Sequence, residues 1–387
     1  MNDFESKIND IKDLKENILT DTILYNQLPF SSDNPDSHKE FIINRLHEMD
    51  VPKIERDDVG NIMVEYFHSP SLTKKSVLVM VPMNLKKISR VDRLIQLDKD
   101  KMHGRGIIDN SLKVTAFLNL IDFLFKYKIE FKYNIIFLFL DFSNIEENFK
   151  TLNYFLSNCN EDIVFALDID SISLGDIGYK SLGKYLYKIW VKTKPIDLIN
   201  ICDCPNKLSA MDILTEIGAR LKSIGWPEKS CTFINIIDIK SKSKVEAVPS
   251  EGVMKLELLS RKSQYLEYEN QILTSTINKM SRELDTKIQL ELVGHSSANY
   301  FMANHPFIDE IIKIHKQYSI ESSLKVIRDE AAVLLQKNIP TVSLGIAEGQ
   351  IKIDDEYITK DSIIVGIKQV LKVLKKGISF FEKKEEE

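Results

Sequence analysis

Apolar strand-like segments alternate with amphipathic helix-like segments through the first half of the chain, and this order constrains the fold most. Compact runs of β-branched and apolar residues predict strands at 76–81, 134–140 and 163–167. Apolar residues three and four positions apart predict helices at 111–127 and 146–156 between them. Strands separated by helices favour a parallel or mixed sheet with helices on both faces, so the fold class is α/β.

The order of elements changes near residue 183. Four predicted strands and two predicted helices follow and give a compact α+β module: strands 185–192, 231–239, 253–259 and 288–293, and helices 208–224 and 263–284. After this module, a helix from residue 305, a strand at 341–345 and a final helix at 361–381 restore the α/β order. We therefore expect a first domain that is interrupted by a second one. The expected bounds are 1–182 and 298–382 for the first domain, 183–297 for the second, and 383–387 for a disordered charged tail.

The composition limits the compartment and the partners. The chain has 387 residues, longer than one hydrophobic core usually serves, and its 52 basic and 57 acidic side chains give a net charge of −5. Without a basic stripe we expect no nucleic-acid partner, and without an apolar run near the ~20 residues of a membrane helix we expect no membrane partner. Residues 1–19 lack a signal-peptide core, and four cysteines are too few for a disulfide framework. The prediction is a cytoplasmic protein.

Five segments carry a family resemblance in the right order along nearly the whole chain: 57–62, 104–111, 235–249, 304–307 and 339–345. Together they resemble the M20 family of zinc-dependent peptidases and deacylases, in particular its peptidase-T-like branch. The resemblance implies an M20-type catalytic domain, with a mixed sheet flanked by helices, interrupted by an α+β lid and dimerisation domain. It also implies two zinc ions held by histidines and carboxylates, with a glutamate that takes a proton from the metal-bound water.

The chain departs from the family at the positions that the resemblance assigns to this chemistry. Pro82 stands at the position of the first histidine ligand, and Asn84 at that of the aspartate that orients it. Ser143 and Asn144 stand where the family has a pair of glutamates, the first as general base and the second as ligand. Proline has no side-chain donor atom, and a serine and an asparagine cannot supply the two carboxylates.

Two carboxylates are retained in the resemblance. Asp109, followed by Asn110, corresponds to the bridging ligand, and Asp168 corresponds to the next carboxylate ligand. Lys352 corresponds to the second histidine. Two carboxylates hold zinc weakly without histidine or cysteine, so we expect no metal, and Asp109 with Asp168 is only the weaker alternative of a residual metal site. We expect the Lys352 ammonium to replace the metal's charge within hydrogen-bond reach of either carboxylate.

The family's aspartate near a glycine-rich turn is replaced by Arg328, with Glu330 close by. The predicted remnant cleft therefore contains Pro82, Asn84, Asp109, Asn110, Ser143, Asn144, Asp168, Arg328, Glu330 and Lys352. None of these is predicted to be catalytic. Ser143 is better interpreted as a helix N-cap than as a nucleophile, because no base accompanies it.

Glu146 and Glu147 form a possible displaced glutamate pair, although we favour exposed acids in the first turn of a helix. The leading functional prediction is a catalytically inactive homologue, with no cofactor, that binds a small ligand or a protein partner in the old cleft. The alternative is an active metallohydrolase, a peptidase or N-acyl amino acid amidohydrolase, with zinc held by rearranged ligands from Asp109, Asp168, Glu330 and the displaced pair. A third possibility is a purely structural dimeric subunit. The resemblance of helix 208–224 and its neighbouring edge strand to the family's dimerisation surface predicts a homodimer through the lid.

Overall fold

The computed structural model describes residues 3–9, 11, 13–28, 36–67, 74–83, 94–141, 143–194, 208–226, 231–241, 248–299, 305–327, 329–352 and 355–386. The chain divides into two compact units. Unit 1 contains Met1–Ser143, Lys150–Lys180 and Tyr300–Glu387, and unit 2 contains Asn144–Phe149 and Ser181–Asn299.

The main sheet of unit 1 has eight strands: β1 (Ile54–Arg56), β2 (Ile62–Tyr66), β3 (Lys75–Pro82), β6 (Asn134–Leu140), β7 (Asp162–Ile172), β8 (Asp176–Lys180), β13 (Ser323–Val326) and β14 (Thr341–Ala347). Their order is β1-β2-β6-β3-β7-β14-β8-β13. The central strands β6, β3, β7 and β14 are parallel, whereas β1, β2 and β8 introduce antiparallel pairs, so the sheet is mixed. Every residue of β6 and β14 is buried, as expected for strands that helices cover on both faces.

The helices of unit 1 are α1 (Asp3–Asn9), α2 (Leu14–Gln27), α3 (Ser37–Glu48), α4 (Lys113–Tyr127), α5 (Lys150–Asn158), α8 (Pro306–Gln317), α9 (Asp329–Gln336) and α10 (Lys360–Glu386). Aromatic contacts join α4, α8 and α10 to the sheet. The Phe117 ring of α4 meets Phe139 with ring centroids 4.8 Å apart. Gly366 lets α10 lie directly on β14, because a Cβ there would come within 1.8 Å of the Ile346 carbonyl oxygen.

A small antiparallel sheet also belongs to unit 1. Its strands are β4 (Gln96–Leu97), β5 (Lys101–His103), β15 (Gly349–Ile351) and β16 (Glu356–Thr359), in the order β15-β16-β5-β4. It joins the segment before the turn at 104–111 to the segment that carries Lys352.

Unit 2 has one antiparallel sheet and two long helices. The strands are β9 (Gly183–Lys192), β10 (Phe233–Ser241), β11 (Glu251–Ser260) and β12 (Lys287–Ser296), in the order β10-β11-β9-β12. Helices α6 (Ala210–Lys222) and α7 (Ser263–Glu283) pack their apolar residues against one face of this sheet. A 3₁₀ turn at Ile145–Glu147 also belongs to this unit.

Two element predictions are wrong. The helix predicted at 146–156 is instead a 3₁₀ turn followed by α5, because Asn148 (φ 53°) and Phe149 (φ 49°) take left-handed conformations between them. The predicted disordered tail is also wrong for residues 383–386, which continue α10. Helix α9 and the small sheet were not predicted from the sequence.

Candidate functional site

The parallel strands β3 and β6 end together at the edge where the family resemblance places the site. Pro82 pairs in register with Leu140, and the backbone N–H of Met83 donates to the Leu140 carbonyl at 2.8 Å. Pro82 is buried in the last position of β3 and offers no side-chain donor or acceptor. Asn84 lies outside the described residues.

The turn that resembles the family's metal-binding segment is held by a carboxylate. Gly106 has φ 78°, and a single π-helical stretch, Ile107–Leu112, leads from it into α4. Glu356 of β16 accepts hydrogen bonds from the backbone N–H of Gly106 at 2.9 Å and of Ile108 at 2.8 Å. Asp109 and Asn110 lie in this stretch, and their side chains are outside the described part of the chain.

Ser143 and Asn144 are engaged in capping. The Ser143 hydroxyl, 1% exposed, lies 2.7 Å from the Thr151 hydroxyl and accepts from the Thr151 backbone N–H at 3.3 Å, in the first turn of α5. The Asn144 side-chain oxygen accepts from the backbone N–H of Glu146 at 2.8 Å and of Glu147 at 3.3 Å. Both side chains therefore satisfy backbone donors at the starts of helical turns.

Asp168 is buried within the sheet. It is 1% exposed and accepts a hydrogen bond from the Ser343 hydroxyl on β14 at 2.8 Å. Register places it opposite Met80, so it lies two residues before the level of Pro82.

Asp170 is a residue that the sequence analysis missed. It lies two positions after Asp168 on β7, level with Pro82 at the end of β3, and is half-buried. The Leu-Asp-Ile-Asp alternation was the available signal, since a period of two puts both aspartates on one face of a strand.

Of the acidic and basic residues near the start of α9, Glu330 is 9% exposed, and Arg328 lies outside the described residues.

The predicted role of Lys352 is not supported. Its side chain is exposed, and it makes no ion pair with any residue in the ranges that the structure describes. The physical reason is its position between β15 and β16, in a small sheet that the sequence analysis did not predict.

Lys113 is a second residue that the sequence analysis missed. It is 1% exposed in the first position of α4, directly after the turn at 104–112 and four residues after Asp109 in sequence. Burial of an ammonium is costly unless a counter-charge accompanies it. Nothing in the sequence signals this burial, which follows from the position of Lys113 on a helix whose residues from 114 to 121 are all buried.

The negative charge of Glu146 is compensated by lysines of unit 2. Its carboxylate pairs with Lys255 of β11 and lies 3.7 Å from Lys188 of β9. The hydrogen bond to Lys255 lowers the pKa of Glu146 below its ordinary value, although partial burial opposes this. Glu147 is exposed. Because a carboxylate held in its ionised form by two lysines is a weak base, this geometry does not suit proton abstraction.

His103, the histidine that precedes the turn, belongs to the small sheet. Its Nε2 lies 3.1 Å from Asp98 and its Nδ1 3.5 Å from Asp355, and its ring lies beside Tyr357 with centroids 5.5 Å apart. His103 is the last residue of β5, and it pairs with Tyr357 of β16.

The described residues do not supply a complete set of ligands for the two zinc ions that the family resemblance implies. Zinc in proteins takes histidine, cysteine or carboxylate ligands in groups of three or four. Among the described residues, no three His, Cys, Asp or Glu side chains come together as a possible metal centre. Pro82 and Asn144 stand where the resemblance requires ligands, and Ser143 stands where it requires the general base.

The comparisons with known proteins agree on the fold: the chain has the fold of the M20 peptidases. A tripeptidase from Staphylococcus aureus subsp. aureus Mu50 matches with a TM-score of 0.74 and 14% identity, over 94% of this chain and 99% of the other. The aminopeptidase PepT from Bacillus cereus ATCC 10987 matches with a TM-score of 0.71 and 13% identity, over 94% and 99%. The dipeptidase Dug1p from Saccharomyces cerevisiae matches with a TM-score of 0.71 and 15% identity, over 96% and 97%.

No protein-family model matches the sequence, and no curated protein matches it. The predicted fold class is confirmed by these structural matches. Within the described residues, no helix combines the length and the apolar character that a membrane crossing requires.

Proposed function

We propose that this protein is a catalytically inactive, metal-free protein with an M20-type fold, which binds a small ligand at the carboxyl edge of the unit 1 sheet. The observation that carries the proposal is the capping by Ser143 and Asn144. At the positions that the resemblance assigns to the general base and to a ligand, a hydroxyl and an amide oxygen accept from backbone N–H groups. Neither side chain ionises near neutral pH, so neither can take a proton from water.

A buried cation supports the absence of metal. Lys113 carries its ammonium into the interior of unit 1, directly after the turn that resembles the metal-binding segment. We assign to Lys113 the compensating positive charge that the sequence analysis expected of Lys352. The buried carboxylate of Asp168, on a strand against which α4 packs, is the described acid that this charge would compensate.

The experiment that tests the proposal is metal analysis combined with turnover. We expect protein that was purified in zinc-supplemented medium to retain less than one zinc per chain after dialysis. We also expect no hydrolysis of a panel of di- and tripeptides and N-acyl amino acids. Native mass spectrometry of the same sample should show a small molecule that leaves on denaturation. Stoichiometric zinc with turnover that chelation removes and zinc restores would contradict the proposal.

An active metallohydrolase with rearranged ligands is the second candidate, and the buried carboxylates of Asp168 and Glu330 with the half-buried Asp170 favour it. If one of these acids held zinc, Asp170→Asn would lower zinc content, whereas Glu321→Gln, an exposed control acid, would not. If Glu146 were the base, Glu146→Gln would remove turnover and leave zinc bound. We expect none of these changes.

We further propose a homodimer through unit 2, on the surface formed by α6 and the edge strand β10. Large apolar side chains on β10 support it: Phe233 is 56% exposed and Ile237 44% exposed. Phe233→Lys is expected to shift the protein from dimer to monomer in light scattering coupled to size exclusion. Leu324→Lys, at a 41% exposed position in unit 1, is the matched control and should leave the mass unchanged.

The cytoplasm is the compartment that we propose. The low cysteine count, four in 387 residues, supports it, because secreted proteins that depend on disulfides are usually richer in cysteine.

A further inference from the structure

One end of the unit 2 sheet carries an apolar surface formed by Trp190 and Val253, which we call the shelf. Three lysines lie at its rim: Lys192, Lys240 and Lys287. Ile189, Val191 and Met254 pack against α6 and α7. Because side chains alternate along a strand, Trp190 and Val253 lie on the opposite face. Register aligns four residues across this face in one row: Lys240, Val253, Trp190 and Gln289.

The row borders a cavity of about 490 Å³, which lies in the range of small-molecule sites. Its lining includes Trp190, Val253, the lysines Lys192, Lys240 and Lys287, and the acidic residue Glu251. Trp190 is 43% exposed, and its Nε1–H donates to Glu291 at 2.8 Å. The polar edge of the indole is thus satisfied, and the ring remains available for apolar contact.

The three lysines at the rim differ in whether an acidic residue pairs with them. Lys192 pairs with Glu251 at 2.5 Å, and Lys240 pairs with Asp238. Lys287 is exposed at the start of β12 and has no acidic partner among the residues that the structure describes. It lies two residues before Gln289, and therefore about 7 Å along the strand from the row that contains Trp190.

We propose that this cavity binds a small amphipathic carboxylate, with its aliphatic or aromatic body on Trp190 and Val253 and its carboxylate at Lys287. An inorganic anion would leave the apolar shelf in water, and a neutral apolar ligand would leave the Lys287 charge unused. A cationic ligand would meet Lys287, which has no acidic partner among the described residues. A medium-chain fatty carboxylate satisfies both the shelf and the charge. This site lies within unit 2, and the inference is independent of the ligand proposed for unit 1.

The test uses the two tryptophans of the chain, Trp190 and Trp226. In Trp226→Phe full-length protein, Trp190 is the only indole, so its emission reports binding at the shelf. Titration with octanoate is expected to change that emission saturably at millimolar concentration. Octanamide, which keeps the chain and removes the charge, is expected to bind about threefold more weakly, as a solvent-exposed ion pair allows.

Charge-neutralising variants in the same background complete the test. Lys287→Gln should weaken octanoate binding about threefold and leave octanamide binding unchanged. Lys279→Gln, on the exposed face of α7, is the matched control and should change neither. The proposal is overturned if octanoate gives no saturable change, if octanoate and octanamide bind equally, or if both lysine variants have the same effect.

Discussion

The Glu356 carboxylate binds the backbone of the turn that leads to Ile108. One oxygen accepts from the Ile108 N–H at 2.8 Å, and the other accepts from the Gly106 N–H at 2.9 Å. The N–H groups that begin a helix have no partners within it, so a side-chain anion there satisfies them and favours the helix dipole. The small sheet, through β16, therefore fixes the turn that precedes α4.

Removal of this carboxylate should destabilise unit 1. Glu356→Ala leaves two N–H groups without their acceptor, and we expect a loss of about 2–3 kcal/mol in the free energy of unfolding by urea titration. Glu356→Gln keeps one acceptor oxygen and should cost about half as much. Glu348→Ala, at an exposed position on the same segment, should cost less than about 0.5 kcal/mol. Equal effects of the Glu356 and Glu348 variants would contradict this role.

Much of the fold could be predicted, because a long apolar run is compatible with few structures other than a buried strand or a buried helix. The strand predicted at 134–140 matches β6 residue for residue, since seven consecutive residues are buried. The strands of the small sheet have two to four residues each, too few for a period to emerge, and they form only because β16 pairs with β5. Hydrophobic periodicity therefore predicted the main sheet and the helices around it, but it did not predict the small sheet, whose strand β16 holds the turn before α4.

The site was less predictable, because its side chains are set by distant partners. Ser143 was interpreted as an N-cap, and the structure confirms a capping bond, but to Thr151 eight residues away. Lys352 was expected, from its position in the resemblance alone, to lie within hydrogen-bond reach of Asp109 or Asp168, and the β15-β16 hairpin instead exposes its side chain. Lys113 was overlooked, because the sequence does not show whether the side chain of a lysine is buried.

The buried Lys113 gives a test of charge compensation. Lys113→Met removes the ammonium and keeps a similar shape, and we expect a loss of about 3–5 kcal/mol, because a buried carboxylate then lacks its counter-charge. Lys126→Met, at an exposed position of the same helix, should cost less than about 0.5 kcal/mol. Urea unfolding at neutral pH measures both.

A double-mutant cycle identifies the partner. If Lys113 compensates Asp168, then Asp168→Asn should cost much less in the Lys113→Met background than in the native chain, with a coupling energy of about 1–3 kcal/mol. Additive effects would assign the counter-charge to another acid.

The ion pair of Glu146 with Lys255 predicts a pH-dependent contribution within unit 2. The folded-state pKa of Glu146 lies below its ordinary value of 4.5, chiefly because of the hydrogen bond to Lys255. Its stabilisation is therefore present above pH 4.5 and is lost as the pH falls through the lowered pKa. Glu146→Gln should cost about 0.5–1 kcal/mol at pH 7, and the difference from the native chain should shrink towards zero near pH 3. A difference that stays constant from pH 7 to pH 3 would exclude an ionic contribution.

The buried His315 predicts a second pH dependence, in unit 1. It arises from a buried imidazole that stays neutral, and not from a carboxylate that stays ionised. His315 is fully buried on α8, its Nδ1 lies 2.8 Å from the Ser322 hydroxyl, and burial lowers its pKa from 6.5 to about 4. Below pH 6.5 the unfolded chain takes up a proton that the folded chain refuses until about pH 4, so stability falls across this window. His315→Gln should remove about 2–3 kcal/mol of that pH-dependent loss in urea titrations between pH 7 and pH 4. The exposed His47, changed to Gln, is the control and should leave the slope unchanged; an unchanged slope in His315→Gln would show that this imidazole is protonated in the folded chain.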